Sequence, residues 1–276
     1  FHQRRSRGAL LIALLVLVLG ADLVAFTRPF LVLSSPPHQD AIAEALRADD
    51  VGRVATSCEE GFSPYRSMNV LLPLIDGHNT AFLKDYAQFA YLTRGDRVPS
   101  SIRQFPPFWL DSPPRRLDLL DLAGVTHVVD CTPLNLSRVR LLERVEGLYL
   151  YRMVRPPARA WWSCDADLVA SDEAVTELLS DRQRDARRRP VILETADQRI
   201  GKLEGCRPDA SVRIMLRDTP SGAFVADVET DGPGLLVMSE THFADRTAWV
   251  NDRPADAFQA NLAFTAIYVQ IGRAHV

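Results

Sequence analysis

The strongest pattern in the chain is an apolar run, Gly8 to Phe26, interrupted only by Asp22 near its outer end and followed by segments whose apolar residues recur at helical or strand spacing. At 1.5 Å per residue the run makes about 28 Å of helix, close to the hydrocarbon thickness of a bilayer, and it predicts a transmembrane anchor. Ser34-Ser-Pro-Pro37 reads as a linker, because proline lacks the amide proton needed to continue a helix. Asp40 to Ala48 has helical periodicity, and so does Thr80 to Leu92, with Phe82, Tyr86, Phe89 and Ala90 on one face. Gly52 to Cys58 reads as a short strand between them. Leu117 to Ala123 is a predicted helix closed by Gly124, and the β-branched run Val125 to Asp130 a buried strand.

After Arg155 the rhythm shortens. One helix, Asp172 to Ser180, takes Ser171 or Asp172 as its N-cap, and a charged turn, Asp181 to Arg189, follows it. Strands are predicted over Val191 to Glu194, Ser211 to Leu216, Ala223 to Val228, Leu235 to Ser239, Thr247 to Asn251 and Ala263 to Val269. Val212, Ile214 and Leu216 alternate with polar neighbours, as a half-buried antiparallel strand requires. The expected fold class is α+β. It comprises a basic flank and transmembrane helix over 1–33, an α/β subdomain over 34–155, and an antiparallel β-sandwich-like subdomain over 156–270.

Charge orients this arrangement. Arg4, Arg5 and Arg7 precede the apolar run and only Arg28 follows it closely, so the N-terminus is expected in the cytoplasm and the main domain outside it. The residue pairs Leu23/Ala25 and Leu19/Ala21 fit a signal-peptidase site poorly, which favours a retained anchor over a cleaved signal peptide. Asp22 is either an interfacial residue or one that faces other helices inside the membrane. With 47% apolar and 24% charged residues the chain can bury a normal core and is not a disordered tail. A formal net charge of −3 and scattered basic residues exclude a global basic field, so nucleic acid is not an expected partner.

The candidate chemistry is thin. Cys58, Cys131, Cys164 and Cys206 lack zinc-ligand spacing, and neither a metal nor a cofactor is expected. An oxidising compartment would allow two disulfides, Cys58 with Cys131 and Cys164 with Cys206 being the pairing within sequence neighbourhoods; the alternative is four buried thiols. Ser239-Glu-Thr-His242 with Asp245 holds every member of a hydrolytic triad, but no G-x-S-x-G elbow surrounds the serine, so no catalytic role is assigned. Asp76-Gly-His78 reads as a loop. Asp181 to Arg189 carries five arginines, whose forked guanidinium groups suit phosphate, interleaved with aspartates as in a solvated turn. Arg94-Gly-Asp96 and the sequon at Asn135 are short enough to be chance, and Trp109, Trp161, Trp162 and Trp249 are either core or a flat platform for sugar rings.

Three segments near the C-terminus carry a family resemblance: Leu235-Leu-Val-Met-Ser-Glu-Thr-His-Phe243, Ala248-Trp-Val-Asn-Asp-Arg-Pro254 and Ala260-Asn-Leu-Ala-Phe-Thr-Ala-Ile267. Ala21-Asp-Leu23, Asn69 with Gly77, Leu119 to Val129, Leu150-Tyr-Arg152, Pro157 and Arg159 agree in order. Together they resemble the YfhO-like bacterial membrane proteins, which look like GT-C-type glycosyltransferases. Phe243-Ala-Asp-Arg246 stands where that family has Tyr-Pro-Gly-Trp, and Asn251-Asp252 where it has Asp-Gly, a pair that still tolerates a tight turn.

The resemblance implies the extracytoplasmic C-terminal region of a polytopic enzyme of the bacterial cell membrane. Such an enzyme moves a sugar from a polyprenyl-phosphate carrier to an envelope polymer, with its catalytic acid in an early outer loop. The expected partners are the lipid bilayer, the polyprenyl-phosphate sugar and the polymer acceptor, and no catalytic residue is expected in this chain. The chain begins at Phe1, so about ten or more further helices are expected upstream. Residues 271–276 match a reading frame of a sequencing adapter and are taken as an artefact. The alternatives are a single-pass anchored binding or scaffold protein without catalysis, and a secreted hydrolase behind a signal peptide.

Overall fold

The computed structural model describes residues 40–56, 72–75, 83–99, 102, 116–155, 157–193, 200, 203, 205–207, 212–218, 224–245, 247–270 and 272–275. Gly8 to Phe26, Cys58, Asn69, Asp76 to His78 and Trp109 lie outside them. Among the described residues no helix is long and apolar enough to cross a membrane, so the expected transmembrane helix is not shown.

Helix α1 (Ala41–Ala48) buries Ile42, Ala43 and Leu46 along one face and precedes strand β1 (Arg53–Thr56). Helices α2 (Lys84–Arg94) and α3 (Leu117–Leu122) lead to strand β2 (Val125–Asp130), which pairs with β1 in parallel, as a crossover through helices allows. Glycine closes both helices: Gly95 (φ 73°) and Gly124 (φ 72°) take the left-handed conformation that residues with a Cβ resist. The hairpin of β3 (Val139–Val145) and β4 (Leu148–Met153) completes a first sheet of order β1-β2-β4-β3.

Strands β5 (Ala160–Ser163) and β6 (Asp167–Val169) come next, then helix α4 (Asp172–Ser180), where the Ser171 hydroxyl accepts the Ala174 amide at 3.3 Å. The remaining strands are β7 (Val191–Leu193), β8 (Arg213–Asp218), β9 (Phe224–Thr230), β10 (Gly234–Thr241), β11 (Ala248–Val250), β12 (Arg253–Ala255), β13 (Ala257–Ala260), β14 (Phe264–Val269) and β15 (Gly272–His275). They form a six-stranded sheet β5-β10-β14-β13-β7-β6, a three-stranded sheet β15-β9-β8 and the hairpin β11-β12.

The described part is therefore mostly β, with four sheets and four short helices, and the α+β expectation is wrong. Two causes are visible. Strand β3 is an exposed edge whose Arg140, Glu143 and Arg144, with a bulge between Leu141 and Glu143, hide its strand pattern. The large sheet is not a sandwich half alone: it contains the parallel pair β6–β7, and its two faces pack differently.

On one face Leu235, Val237, Phe264 and Ala266 share a core with α2, α3, α4 and the first sheet, through Phe89, Leu119, Leu179 and Val128. Phe89 meets Phe264 edge to face, with ring centroids 4.8 Å apart. On the other face Leu236, Met238, Ile267 and Val269 pack against Ala226 and Val228 of the three-stranded sheet and against Ala248 of the hairpin. The outer face of the first sheet is closed by α1 through Val54, Val129, Leu148 and Leu150. A strand buried on both faces needs no polar alternation, which is why β10 and β14 read as continuous apolar runs.

Polar side chains fix the layers. Asn261, fully buried with φ 47°, accepts the Val191 amide at 2.8 Å through its side chain and donates its own amide to the Val191 carbonyl at 2.7 Å. The Ala260-Asn-Leu-Ala-Phe264 segment thus turns β13 into β14 and holds β7. Cys164 and Cys206 form a disulfide, and Cys131 is disulfide-bonded as well; its expected partner Cys58 lies outside the described residues.

Gly234 at the start of β10 lies under the Trp162 indole, and a Cβ there would overlap the ring. Gly234→Ala should lower the unfolding free energy by about 1–3 kcal/mol, the usual effect of overpacking, measured by urea denaturation. An unchanged midpoint would mean the ring is free to move aside.

Candidate functional site

The arginine-rich turn after α4 is largely exposed, as expected of a solvated turn, but it is internally bonded. Its aspartates bind the backbone: Asp181 accepts the Gln183 amide at 2.9 Å, and Asp185 accepts the Arg187 and Arg188 amides at 3.1 Å each. Three of its arginines pair with aspartates, Arg184 and Arg187 half-buried and Arg189 exposed. Arg184 pairs with Asp167 at 2.5 Å and Arg189 with the same carboxylate at 2.7 Å. Arg187 meets Asp121 at 3.0 Å, donates to the Asp121 and Ala158 carbonyls, and stacks on the Trp161 ring at 4.6 Å.

Beside this turn is a cleft of about 300 Å³ between α3 and the end of α4. Five arginines (116, 138, 182, 184 and 187) line it against four aspartates (118, 121, 181 and 185), an excess of one positive charge. Arg116, 4% exposed, grips Asp118 with two nitrogens and caps the C-terminus of α4 by donating to the Leu179 and Ser180 carbonyls. Arg138 and Arg182 are exposed, and neither forms an ion pair with a described carboxylate. Burial pushes the Asp121 carboxyl above its usual range, outweighing the Arg187 and Arg138 charges that favour its ionised form. Perturbed carboxyl, paired arginines and two exposed guanidinium groups in one concavity suit an anion with several oxygens.

A second polar constellation lies between α1 and the first sheet. The Asp49 carboxylate bonds His127 Nε2 at 3.1 Å and Arg152 Nη1 at 2.7 Å, and His127 Nδ1 faces the Thr126 hydroxyl at 2.8 Å. In the neutral ring Nε2–H donates to Asp49 and Nδ1 is an acceptor; the Thr126 hydroxyl accepts the Gly52 amide at 2.9 Å and shares its one proton between His127 Nδ1 and the Arg53 carbonyl at 3.2 Å. The order Asp–His–Thr is that of a nucleophile and its base. Here it ties the ends of α1 and β1 to β2: Thr126 is held against Gly52, the residue before β1, and His127 is fully buried.

The sequence-derived triad does not assemble. Ser239 is buried, and its hydroxyl donates to the Arg159 carbonyl at 3.0 Å; the His242 backbone amide donates to Ala263 at 2.9 Å. Glu240 between them accepts from Arg53 at 2.6 Å and Arg159 at 2.8 Å, and Arg53 also donates to the Ala123 and Ser239 carbonyls. Arg94 pairs with Asp96 across the Gly95 cap, so that tripeptide is a helix end. Asn135 is exposed on the connection to β3. Trp161 and Trp162 pack inward, whereas Trp249 is 53% exposed. Among the described residues no group of three or more His, Cys, Asp or Glu side chains is placed to hold a metal ion.

Sequence reasoning singled out the arginine turn but missed Arg116, Arg138 and Asp121, which the fold brings to it from elsewhere. It also missed the Asp49–His127 pair; a Thr-His step inside a β-branched strand was the available signal, since a buried histidine requires partners. Fold and cleft together define a predominantly β protein with a cationic surface concavity. Compared with family models, curated proteins and solved structures, the chain matches none.

His127 is pushed below its ordinary value by burial, against the opposing pull of Asp49, with Arg152 adding to the decrease. The folded chain therefore binds fewer protons here than the unfolded chain, and the stabilisation is complete above the unfolded value near 6.5 and lost as pH falls below it. Urea midpoints should drop between about pH 6.5 and 5, and His127→Gln should flatten that part of the profile. An identical slope in the variant would remove His127 from the account.

Proposed function

We propose that this chain works outside the cytoplasm as part of an envelope sugar transferase of the YfhO-like kind. Its role is to bind: the arginine-lined cleft holds a phosphate group of the polyprenyl-phosphate donor or of a phosphate-bearing polymer acceptor. The observation that carries the reading is the pair Arg138 and Arg182 at the mouth of a cleft whose other arginines are fixed by aspartates. Fixed guanidinium groups shape the site at no cost in side-chain entropy on binding, while the two exposed ones supply the bidentate contacts that phosphate favours.

The disulfide Cys164–Cys206 supports an oxidising location, since such bonds persist outside the reducing cytosol. The order of family-like segments supports the transferase context: Ser239-Glu240 and Ala260 to Phe264 are the segments whose side chains join the sheets. A second reading, an envelope-binding domain with no catalytic role, is favoured by Ser239 and Thr126, whose hydroxyls are engaged by backbone groups.

The test uses farnesyl phosphate and a short glycerol-phosphate oligomer as probes for the two phosphate sources, titrated calorimetrically into the purified chain. At least one should bind, more weakly as salt rises, and the double substitution Arg138→Ala/Arg182→Ala should weaken it by about tenfold or more, the value of a charge-assisted hydrogen bond. Absence of binding by both probes, or equal affinity in the variant, contradicts the reading.

A further inference from the structure

The arginine cleft carries a limit on charge as well as an attraction for it. Its four aspartates come from two elements, Asp118 and Asp121 from α3 and Asp181 and Asp185 from the turn after α4. Arg116 is matched by Asp118 and Arg187 by Asp121, while Arg184 is matched outside the cleft by Asp167. The carboxylates of Asp181 and Asp185 accept backbone amides of their own turn, which fixes them in place without cancelling their charge. Arg138 and Arg182 therefore stand against two uncancelled carboxylates, and the lining as a whole exceeds neutrality by only one positive charge.

The charge of a phosphate group depends on its esterification. A diester carries one negative charge throughout the neutral range, whereas a monoester loses its second proton near pH 6 and is close to doubly charged above it. The first charge is balanced by the excess of the lining. A second would be uncompensated and would lie against four carboxylates gathered in about 300 Å³. Asp121 already feels that limit: burial holds its carboxyl above the ordinary range in spite of Arg187 and Arg138, and Asp185 adds to the rise.

We propose that the four aspartates make the cleft selective for a singly charged phosphodiester over a doubly charged phosphate monoester. The inference rests on the reading of this cleft as a phosphate site and adds which phosphate it takes. In a transfer from a polyprenyl-phosphate sugar that distinction separates substrate from product. The bond between the sugar carbon and the phosphate oxygen breaks and the oxygen keeps the electron pair, while the acceptor hydroxyl gives its oxygen to the sugar and its proton to solvent. A diester enters the step and a monoester leaves it, so the aspartates that admit the donor favour release of the spent carrier.

The matched probes are bis(glyceryl) phosphate, a diester, and α-glycerol phosphate, a monoester, titrated calorimetrically into the full chain at low ionic strength. At about pH 7.5 the diester should bind about tenfold more tightly, the effect of one like charge close by at the dielectric of a protein surface. At about pH 5.5, where the monoester is mostly singly charged, the two affinities should agree within about twofold. Asp181→Asn keeps an oxygen for the Gln183 amide and Asp121→Asn one for Arg187, so each removes a charge with little change of shape. Either should cut the preference at about pH 7.5 to roughly threefold or less. Equal or tighter binding of the monoester there, weakened together with the diester by Arg138→Ala/Arg182→Ala, would overturn the selectivity and leave the phosphate site standing. A full preference in both Asp→Asn variants would overturn the aspartates' part in it. If neither probe binds, the phosphate reading falls and this inference with it.

Discussion

The Glu240 carboxylate lies between two guanidinium groups from different parts of the chain, Arg53 on the first sheet and Arg159 just before the six-stranded sheet. Its side chain is 11% exposed and that of Arg53 20%, so water screens the pair only weakly. Arg53 extends the joint by donating to the Ala123 and Ser239 carbonyls, and Arg159 by lying over the Phe224 ring at 5.0 Å. Beside it Gly124 leaves room for Ser239; a Cβ there would stand 2.9 Å from the serine hydroxyl oxygen. The approach of β1 to β10, and with it the shared core of helices between the sheets, depends on this one charge being satisfied. An unpaired carboxylate or guanidinium so placed would cost about 3–5 kcal/mol, a large share of a domain's net stability.

The arginine cleft inherits its shape from that packing. The arginine cleft requires α3, on the first sheet's side of the core, to sit against the end of α4, which belongs to the six-stranded sheet; Arg116 bridges them through the Leu179 and Ser180 carbonyls. The opposite face of the same sheet is covered by the three-stranded sheet and the β11–β12 hairpin, through Ala226, Val228 and Ala248.

Most elements were legible wherever a single physical signal dominated. The amphipathic stripe of Ala41–Ala48, the serine cap at Ser171, the glycine stop at Gly124 and the alternation of Val212, Ile214 and Leu216 each follow from one local rule, and each is present. The hairpin β3–β4 was hidden because its edge strand is charged and bulged and its inner strand is apolar on both faces. The overall class was misread for the same reason: missing those strands left the first part as an apparent α/β alternation. Tertiary chemistry was legible only in part. Five arginines interleaved with aspartates fitted a solvated turn or a phosphate grip, and nothing local showed that Asp121 and Asp167 would claim three of them or that Arg138 would arrive from β3's approach. Ser239, Glu240 and His242 carried the residue types of a hydrolase, and only the fold reveals that Glu240 neutralises two arginines while Ser239 holds backbone.

The central claim, that the Glu240 joint holds the first sheet onto the six-stranded sheet, is tested most directly by a double-mutant cycle between Arg53→Ala and Glu240→Ala in urea unfolding. The account predicts that Glu240→Ala alone destabilises by about 3–5 kcal/mol, as when one partner of a buried pair is removed, and that the second substitution adds far less than its separate effect. A loss below about 1 kcal/mol with additive effects, the behaviour of an exposed ion pair, would contradict it.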